Sequence, residues 1–211
     1  MRYLFLLTLS LVLFACEQQK STPSSATAST ENADKDDFNV SEYTLESLAD
    51  SDIQQATKRN AKGQLEMRGY VLNGQRTGTW MNYAPADSTR PKQIISYAAG
   101  KRNGLYMELN EAGFAKLVAY FKDDKLDGNW GKYNFGRPLQ TAEYLNGELH
   151  GTSREYTLNK GELQKEMHYK NGKLDGAFIH YDDKGQVVLR YEYKDGEKLS
   201  GGIVNPKDTV Q

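Results

Sequence analysis

A short phrase that recurs six times is the feature that most limits what this chain can fold into. In most copies a tyrosine stands three residues before a first glycine, and a second glycine follows four residues later. The copies cover residues 71–78, 97–104, 121–128, 144–151, 169–176 and 193–200, and the first-glycine position advances by 26, 24, 23, 25 and 24 residues. Repetition at this period indicates an array of small similar units that stack on one another, and not one globular core.

Two copies depart from the phrase. Asp124 stands at the first-glycine position of the third copy, and Ser200 stands at the second-glycine position of the last, where the glycine follows one residue later. Five copies also share a glycine eleven residues before the first-glycine position: Gly63, Gly113, Gly136, Gly161 and Gly185. The second copy has a longer, proline-containing loop at 84–91 instead. Regular stacking is therefore in question only around Asp124 and Ser200.

The spacing of the glycines predicts a β-hairpin in each unit. Asn-Gly or Asp-Gly forms the turn pair in four of the six copies. This pair is the strongest short hairpin signal, because both central residues of a type I′ turn need positive φ. Residues 187–194 carry apolar side chains at every second position, as in a half-buried strand. The predicted fold class is all-β, an elongated and curled antiparallel sheet of about six stacked β-hairpins.

Large side chains recur in the return strand of each hairpin. Two residues after the second glycine stand Trp80, Tyr106, Trp130, Ser153 and Phe178, and five residues after it stand Tyr83, Leu109, Tyr133, Tyr156 and Tyr181. Offsets of two and five have opposite parity in a strand. Either a β-bulge returns both rows to one face, or the two rows line opposite faces, and the sequence leaves both arrangements open.

These rings have two interpretations. They pack one hairpin on the next, or some of them remain on an open face as a binding surface, since a single-layer sheet cannot cover both of its faces. Tyrosine suits such a surface because it is apolar with one polar end. The candidate partner-binding residues are Trp80, Tyr83, Tyr106, Trp130, Tyr133, Tyr156, Phe178 and Tyr181.

The N-terminus predicts a lipid anchor. Met1-Arg2 is a short positive region, and residues 3–14 form an apolar run that is too short to span a bilayer but fits a signal peptide. The run ends Leu13-Phe14-Ala15-Cys16, which resembles the lipobox of bacterial lipoproteins. The resemblance implies cleavage before Cys16 and acylation of that residue, with fatty acyl chains such as palmitate. The alternative is an ordinary secretory signal with an incidental cysteine. Glu17 at the next position favours the outer membrane.

The remaining sequence divides the chain into five segments. Residues 1–15 are the signal peptide, and 16–37 are the lipidated cysteine and a disordered tether rich in Ser, Thr and Ala. Residues 38–60 form an N-terminal cap segment, in which Tyr43, Leu45 and Leu48 could share one side of a short helix. Residues 61–202 are the repeat domain, and 203–211 are a C-terminal tail.

The phrase Tyr-x-Asn-Gly-Lys-x-x-Gly-x-Trp/Phe-x-x-Tyr resembles the MORN repeat in its longer bacterial variant. The match is closest at 169–181 and 121–133, and it extends over about residues 61–202. The resemblance implies an elongated, groove-bearing sheet of hairpins. Similar bacterial proteins are grouped as YwqK-type antitoxins, and other MORN proteins are membrane-associated or partner-binding scaffolds. No catalytic residues come with the motif.

No catalytic, metal or cofactor site is predicted, so the chain is not expected to be an enzyme. His150, His168 and His180 occupy three different repeat positions, and Ser153 has no paired histidine at a readable spacing. The paired carboxylates at 123–124 and 182–183 occupy turns, where aspartate is favoured for backbone reasons. The formal net charge of −1 argues against a nucleic-acid partner.

Two functions from different classes follow. The first is a membrane-anchored protein-binding module, either an immunity-type antitoxin or an envelope scaffold, with an unidentified protein partner. The second is direct binding of lipid headgroups or envelope glycans. Basic and acidic residues are interleaved, as at 122–125, which argues against a lipid-headgroup surface.

Overall fold

The computed structural model describes residues 38–84 and 87–205. The predicted signal peptide, Cys16, the predicted tether up to residue 37 and most of the tail lie outside the described residues. A 3-10 helix, Val40–Glu42, precedes the strands. The strands are β1 (Thr44–Ser47), β2 (Gln54–Arg59), β3 (Leu65–Leu72), β4 (Gln75–Ala84), β5 (Asp87–Ala98), β6 (Lys101–Leu109), β7 (Ala115–Lys122), β8 (Lys125–Asn134), β9 (Arg137–Leu145), β10 (Glu148–Leu149), β11 (Gly151–Tyr156), β12 (Leu163–Lys170), β13 (Lys173–Tyr181), β14 (Val187–Lys194) and β15 (Glu197–Ile203).

All these strands belong to one antiparallel sheet. Each strand is hydrogen-bonded to its neighbour in the sequence from β1 to β15, except that β9 pairs with both the short β10 and β11. The sheet does not close on itself, so β1 and β15 are its two edges. The predicted fold class of an antiparallel sheet of stacked hairpins is confirmed.

The six turns at the first-glycine positions, which we call the six tight turns, have the backbone that the Asn-Gly signal predicts. Both central residues have positive φ in every one of them: Asn73-Gly74, Ala99-Gly100, Asp123-Asp124, Asn146-Gly147, Asn171-Gly172 and Asp195-Gly196. This is the type I′ pattern. Asp124 adopts it at φ +68 without a glycine, and aspartate tolerates this region better than most residues.

Successive tight turns are joined by one backbone hydrogen bond each. The N–H of the second turn residue donates to a carbonyl of the preceding hairpin, at 2.9 Å for Gly100 to Arg76 and 2.8 Å for Gly196 to Leu174. Asp124 makes the same bond to Arg102 at 3.0 Å. Its carboxylate also accepts from the Arg102 N–H at 2.9 Å. Stacking is therefore regular at the third unit. The last unit keeps the same turn-to-turn hydrogen bond.

A single row of side chains crosses the middle of the sheet on one face. Its members occupy cross-strand positions in register from β2 to β15: Ala56, Gly69, Trp80, Ile95, Tyr106, Ala119, Trp130, Ala142, Ser153, Met167, Phe178, Tyr191 and Gly201. We call this the tryptophan row and its side of the sheet the tryptophan face. Most of the row is buried. Both tryptophans lie beside residues with little or no side chain, Trp80 over Gly69 and Trp130 between Ala119 and Ala142.

The segment before the repeats packs on the first unit. Phe38, Val40 and Tyr43 contact the buried cluster that includes Trp80. The expectation that Tyr43, Leu45 and Leu48 share one side of a helix is wrong. Only residues 40–42 make a helical turn, and Leu45 lies in β1 with its side chain exposed, as does Leu48 after that strand. The chain becomes extended here because β1 pairs with β2.

Candidate binding surface

The tryptophan face is filled by the protein's own rings at its first unit. Trp80 is 1% exposed. The rings of Phe38 and Tyr43 meet it edge-on with centroids 5.3 and 5.4 Å away. The Trp80 indole N–H donates to the Tyr70 carbonyl at 3.0 Å. Trp80 is thus a packing residue with a satisfied polar group, and it presents almost no surface to a partner.

The position of Trp80 depends on the glycine beneath it. A Cβ placed on Gly69 would lie 2.1 Å from Cδ2 of the Trp80 ring, so the indole rests directly on the backbone. In the third hairpin the equivalent residue under Trp130 is Ala119, which is fully buried. Trp130 is 5% exposed, and its buried indole N–H has no hydrogen-bond partner within the part of the chain that the structure describes. The two sites differ by one methyl group, since Ala119 has a Cβ where Gly69 has none.

This difference predicts that one substitution costs more stability at Trp80 than at Trp130. We expect Trp80→Phe to lower the free energy of unfolding by about 1–3 kcal/mol, because it removes the hydrogen bond from the buried indole N–H to the Tyr70 carbonyl. Trp130→Phe removes a buried donor that already lacks a partner, so we expect its cost to be smaller by about 1 kcal/mol or more. Urea unfolding followed by circular dichroism measures both. Equal costs would contradict the assignment of the two N–H groups.

Other groups on the tryptophan face are also engaged with one another. The Arg76 guanidinium lies 3.8 Å from the ring centroid of Tyr97, and that of Arg102 lies 4.2 Å from the ring centroid of Phe121. The Tyr106 hydroxyl accepts from Gln93 and donates to Glu108, both at 2.6 Å. Burial raises the pKa of Tyr106, and the bond to the Glu108 carboxylate adds to this. These contacts stabilise the sheet and leave few groups on this face for a ligand.

The tyrosines at the second repeat position lie on the opposite face. The Tyr83 hydroxyl donates to the sulfur of Met81 at 3.5 Å, two residues back on the side away from Trp80. The Tyr133 ring lies over Gly131, where a Cβ would come within 2.7 Å of the tyrosine hydroxyl oxygen. Register shifts do occur beside these tyrosines, but the partner strand carries the extra residue. Side chains of the return strand therefore keep alternating between the two faces. As a result, the tryptophan row and these tyrosines lie on opposite faces of the sheet.

We call this second side the tyrosine face. It carries four of the eight candidate residues, Tyr83, Tyr133, Tyr156 and Tyr181, all half-buried, whereas Tyr106 and Phe178 are half-buried on the tryptophan face. Burial is the main cause that raises the pKa of Tyr181. Every described strand belongs to the same sheet, so within residues 38–84 and 87–205 no second layer of strands covers these tyrosines.

An aliphatic row that the repeat pattern did not reveal extends the tyrosine face. Met81, Ile94, Met107 and Val118 are direct partners on four successive strands and are half-buried. Each methionine follows a tryptophan-row ring by one residue, so strict alternation along the return strand would have found it. Towards the C-terminus the face becomes charged, with an Arg154–Glu166 ion pair at 2.8 Å.

The residues considered for chemistry are not brought together. His168 is on the tyrosine face, 3.3 Å from Glu166, whereas His180 pairs with Lys165 and Leu189 on the tryptophan face. Ser153 is buried in the tryptophan row. The Asp182 carboxylate accepts the N–H groups of Lys184 and Gln186 and so closes its own turn. No group of three or more His, Cys, Asp or Glu side chains that could hold a metal ion occurs among the described residues.

Comparison with known proteins gives no identification. No family model matches the chain, and no curated protein is similar to it. In the described part of the chain no helix is both long and apolar enough to cross a membrane. The function of this surface is therefore inferred from its geometry.

Proposed function

We propose that this chain is a MORN-type repeat protein that binds a protein partner through its tyrosine face while Cys16 holds it in the membrane of the cell envelope. The observation that carries the proposal is the contrast between the two faces of one sheet. The tryptophan face is filled by its own rings and by the N-terminal segment. The tyrosine face presents half-buried aromatic, methionine and aliphatic side chains, and within residues 38–84 and 87–205 no strand layer lies above them.

The chemistry of the tyrosine face suits a protein partner. Tyrosine gives a large contact area with little loss of side-chain entropy, and methionine adapts to the shape of an apposed surface. The ion pair of Arg154 and Glu166 and the contact of Glu166 with His168 place both signs of charge at one end. A surface for anionic lipid headgroups would instead need unpaired basic residues.

The proposed anchor sets where this surface works. Acylation of Cys16 would place the sheet at the end of the predicted tether, residues 16–37, and flexible chains of roughly 20 residues span about 25 Å on average. A partner in the outer membrane or in the adjacent envelope compartment lies within this reach. A partner that the protein inactivates would make it an immunity-type antitoxin, and several structural envelope partners would make it a scaffold.

The experiment is cross-linking of the lipidated protein in living cells, followed by mass spectrometry, with wild type and Tyr133→Ala/Tyr156→Ala compared. We expect the double variant to lose at least about 90% of its cross-linked partner, since hot-spot rings at interfaces each contribute about 1–2 kcal/mol or more. Tyr133→Phe/Tyr156→Phe is the matched control and should keep most of the binding, because it retains both rings.

Two results would contradict the proposal. The first is a double variant that keeps the wild-type circular dichroism spectrum and also keeps its partner. The second is binding of the non-lipidated chain to liposomes or cell-wall material with no protein partner, which would favour direct binding of lipid headgroups or envelope glycans.

A further inference from the structure

Two exposed phenylalanines lie in neighbouring loops at the same end of the central strands. Phe114 precedes β7 and Phe135 follows β8, and their ring centroids are 5.9 Å apart with the rings tilted by 65°. They are 48% and 65% exposed. Rings of this size are normally buried, so a contacting pair left in water at the loop tips needs an explanation.

The backbone at Phe135 strengthens the case. Phe135 and Gly136 form a two-residue turn between β8 and β9, separate from the six tight turns, with φ values of +47° and +81°. The corresponding first position of the six tight turns holds Asn, Asp or Ala. A bulky residue in this left-handed region is a genuine outlier, and a ring that is largely in water gains little packing to offset the strain. Strain of this kind at an exposed site is typical of residues retained for contact with another molecule.

A third apolar residue and two cations complete the patch. Leu158, 64% exposed, lies in the next loop, which is joined to the Phe135 loop by a 3.1 Å hydrogen bond from Arg137 to the Asn159 carbonyl. Lys116 and Arg137 each follow one of the phenylalanines by two residues, and both are exposed. We call Phe114, Phe135 and Leu158 with these two cations the loop-tip patch.

The loop-tip patch is next to residues of the tyrosine face along the chain. Ala115, next to Phe114, pairs with Leu109, and Tyr133 stands two residues before Phe135. The rim also carries acids, since Lys160 lies 3.7 Å from Glu162 and Glu111 is exposed in the Phe114 loop. A rim of both signs suits an anionic bilayer poorly, whereas Lys116 and Arg137 beside the rings complement carboxylates on a protein.

We propose that the loop-tip patch is the hot spot of the binding surface, where Phe114 and Phe135 insert into an apolar pocket rimmed by carboxylates on a protein partner. This inference rests on the proposed function and adds the location of its main contact and the chemistry of the partner. Lys116 and Arg137 steer and orient the partner's acidic groups, and the tyrosine face supplies the surrounding contact area.

The test uses a phage-displayed random peptide library selected on the full-length protein, with enriched peptides then titrated by fluorescence anisotropy. We expect acidic peptides that carry large apolar residues. Their Kd should rise at least about tenfold for Phe114→Ala and for Phe135→Asn, and it should rise with salt and with Lys116→Glu. Phe135→Asn removes the ring while giving the turn a residue that favours positive φ. Its Tm should therefore equal or exceed that of wild type, so lost binding cannot be attributed to unfolding.

Leu145→Ala is the matched control, because Leu145 is another exposed apolar residue but lies beside a tight turn at the opposite end of the strands. It should leave the Kd unchanged. The inference is overturned if no peptide is enriched, or if enriched peptides bind Phe135→Asn as well as wild type. If those peptides also need Tyr133 and Tyr156, the proposed function stands while this inference fails. Ring-dependent binding to vesicles of phosphatidylethanolamine and phosphatidylglycerol, without peptide binding, would assign the patch to a bilayer and overturn the protein partner.

Discussion

Gly69→Ala is expected to lower the free energy of unfolding by about 3 kcal/mol, at the upper end of what overpacking one methyl group costs. The new Cβ would lie 2.1 Å from Cδ2 and 2.4 Å from Cε2 and Cγ of Trp80. These atoms form the rigid centre of a buried indole that Phe38 and Tyr43 hold from other sides. The ring cannot move aside without losing its hydrogen bond to the Tyr70 carbonyl.

Urea unfolding of wild type, Gly69→Ala and Gly202→Ala measures this effect. Gly202 is the matched control, because a Cβ there would have nothing within 4 Å and its φ is not positive, so a change within about 0.5 kcal/mol is expected. In a Trp80→Ala background the cost of Gly69→Ala should nearly vanish, since the two residues form one contact. Equal effects of the two glycine substitutions would contradict the packing described here.

The turns show what the sequence alone can predict. The type I′ backbone follows from local chemistry, since Asn-Gly tolerates positive φ wherever it stands, and all six turns have it. Asp124 was the doubtful case because glycine is missing. The structure shows that its carboxylate accepts from Arg102 and that its N–H keeps the junction bond. That compensation needs a neighbouring hairpin at a set distance, which no local pattern contains.

The faces of the sheet show what the sequence could not predict. Whether Trp80 and Tyr83 share a face depends on which of two paired strands carries the extra residue of a bulge, and this is a property of the pair. The extra residue lies on β5, so Tyr83 stays with Met81. Phe114 and Phe135 were missed for a different reason. They stand in loops that vary between units, outside the repeated phrase that predicts the other candidate residues.

The N-terminal segment could be predicted only in part from the sequence. The repeats predict a cap because the outermost unit of a repeat array has an uncovered face, and the sequence pattern places Tyr43 in it. The pattern does not single out Phe38, and the helical spacing of Leu45 and Leu48 is wrong. Tyr43 contributes through its ring against Trp80 and through its hydroxyl, which donates to the sulfur of Met67 at 3.0 Å. The segment is therefore part of the folded array.

The second large effect is expected at this cap. Phe38→Ala/Tyr43→Ala should lower the free energy of unfolding by about 3 kcal/mol, because two partly buried rings are removed and each full truncation of a buried aromatic costs about 3–5 kcal/mol. The first unit should lose stability as well as the whole domain, since units of an array depend mainly on their neighbours. We expect faster hydrogen exchange at the amides of β2 and β3 and a red-shifted Trp80 emission, measured in a Trp130→Phe background that leaves one tryptophan.

Leu45→Ala/Leu48→Ala is the matched control, because both leucines belong to the same segment but have exposed side chains. It should change the unfolding free energy by no more than about 0.5 kcal/mol. If the two double variants behave alike, the segment stabilises the sheet through its β1 pairing with β2 and not through the two rings. If only the ring variant exposes Trp80, the hairpin of β3 and β4 needs Phe38 and Tyr43 because no preceding repeat unit covers the start of the tryptophan row. The N-terminal segment then covers the start of the tryptophan row, whereas within the described residues no such segment covers the tyrosine face.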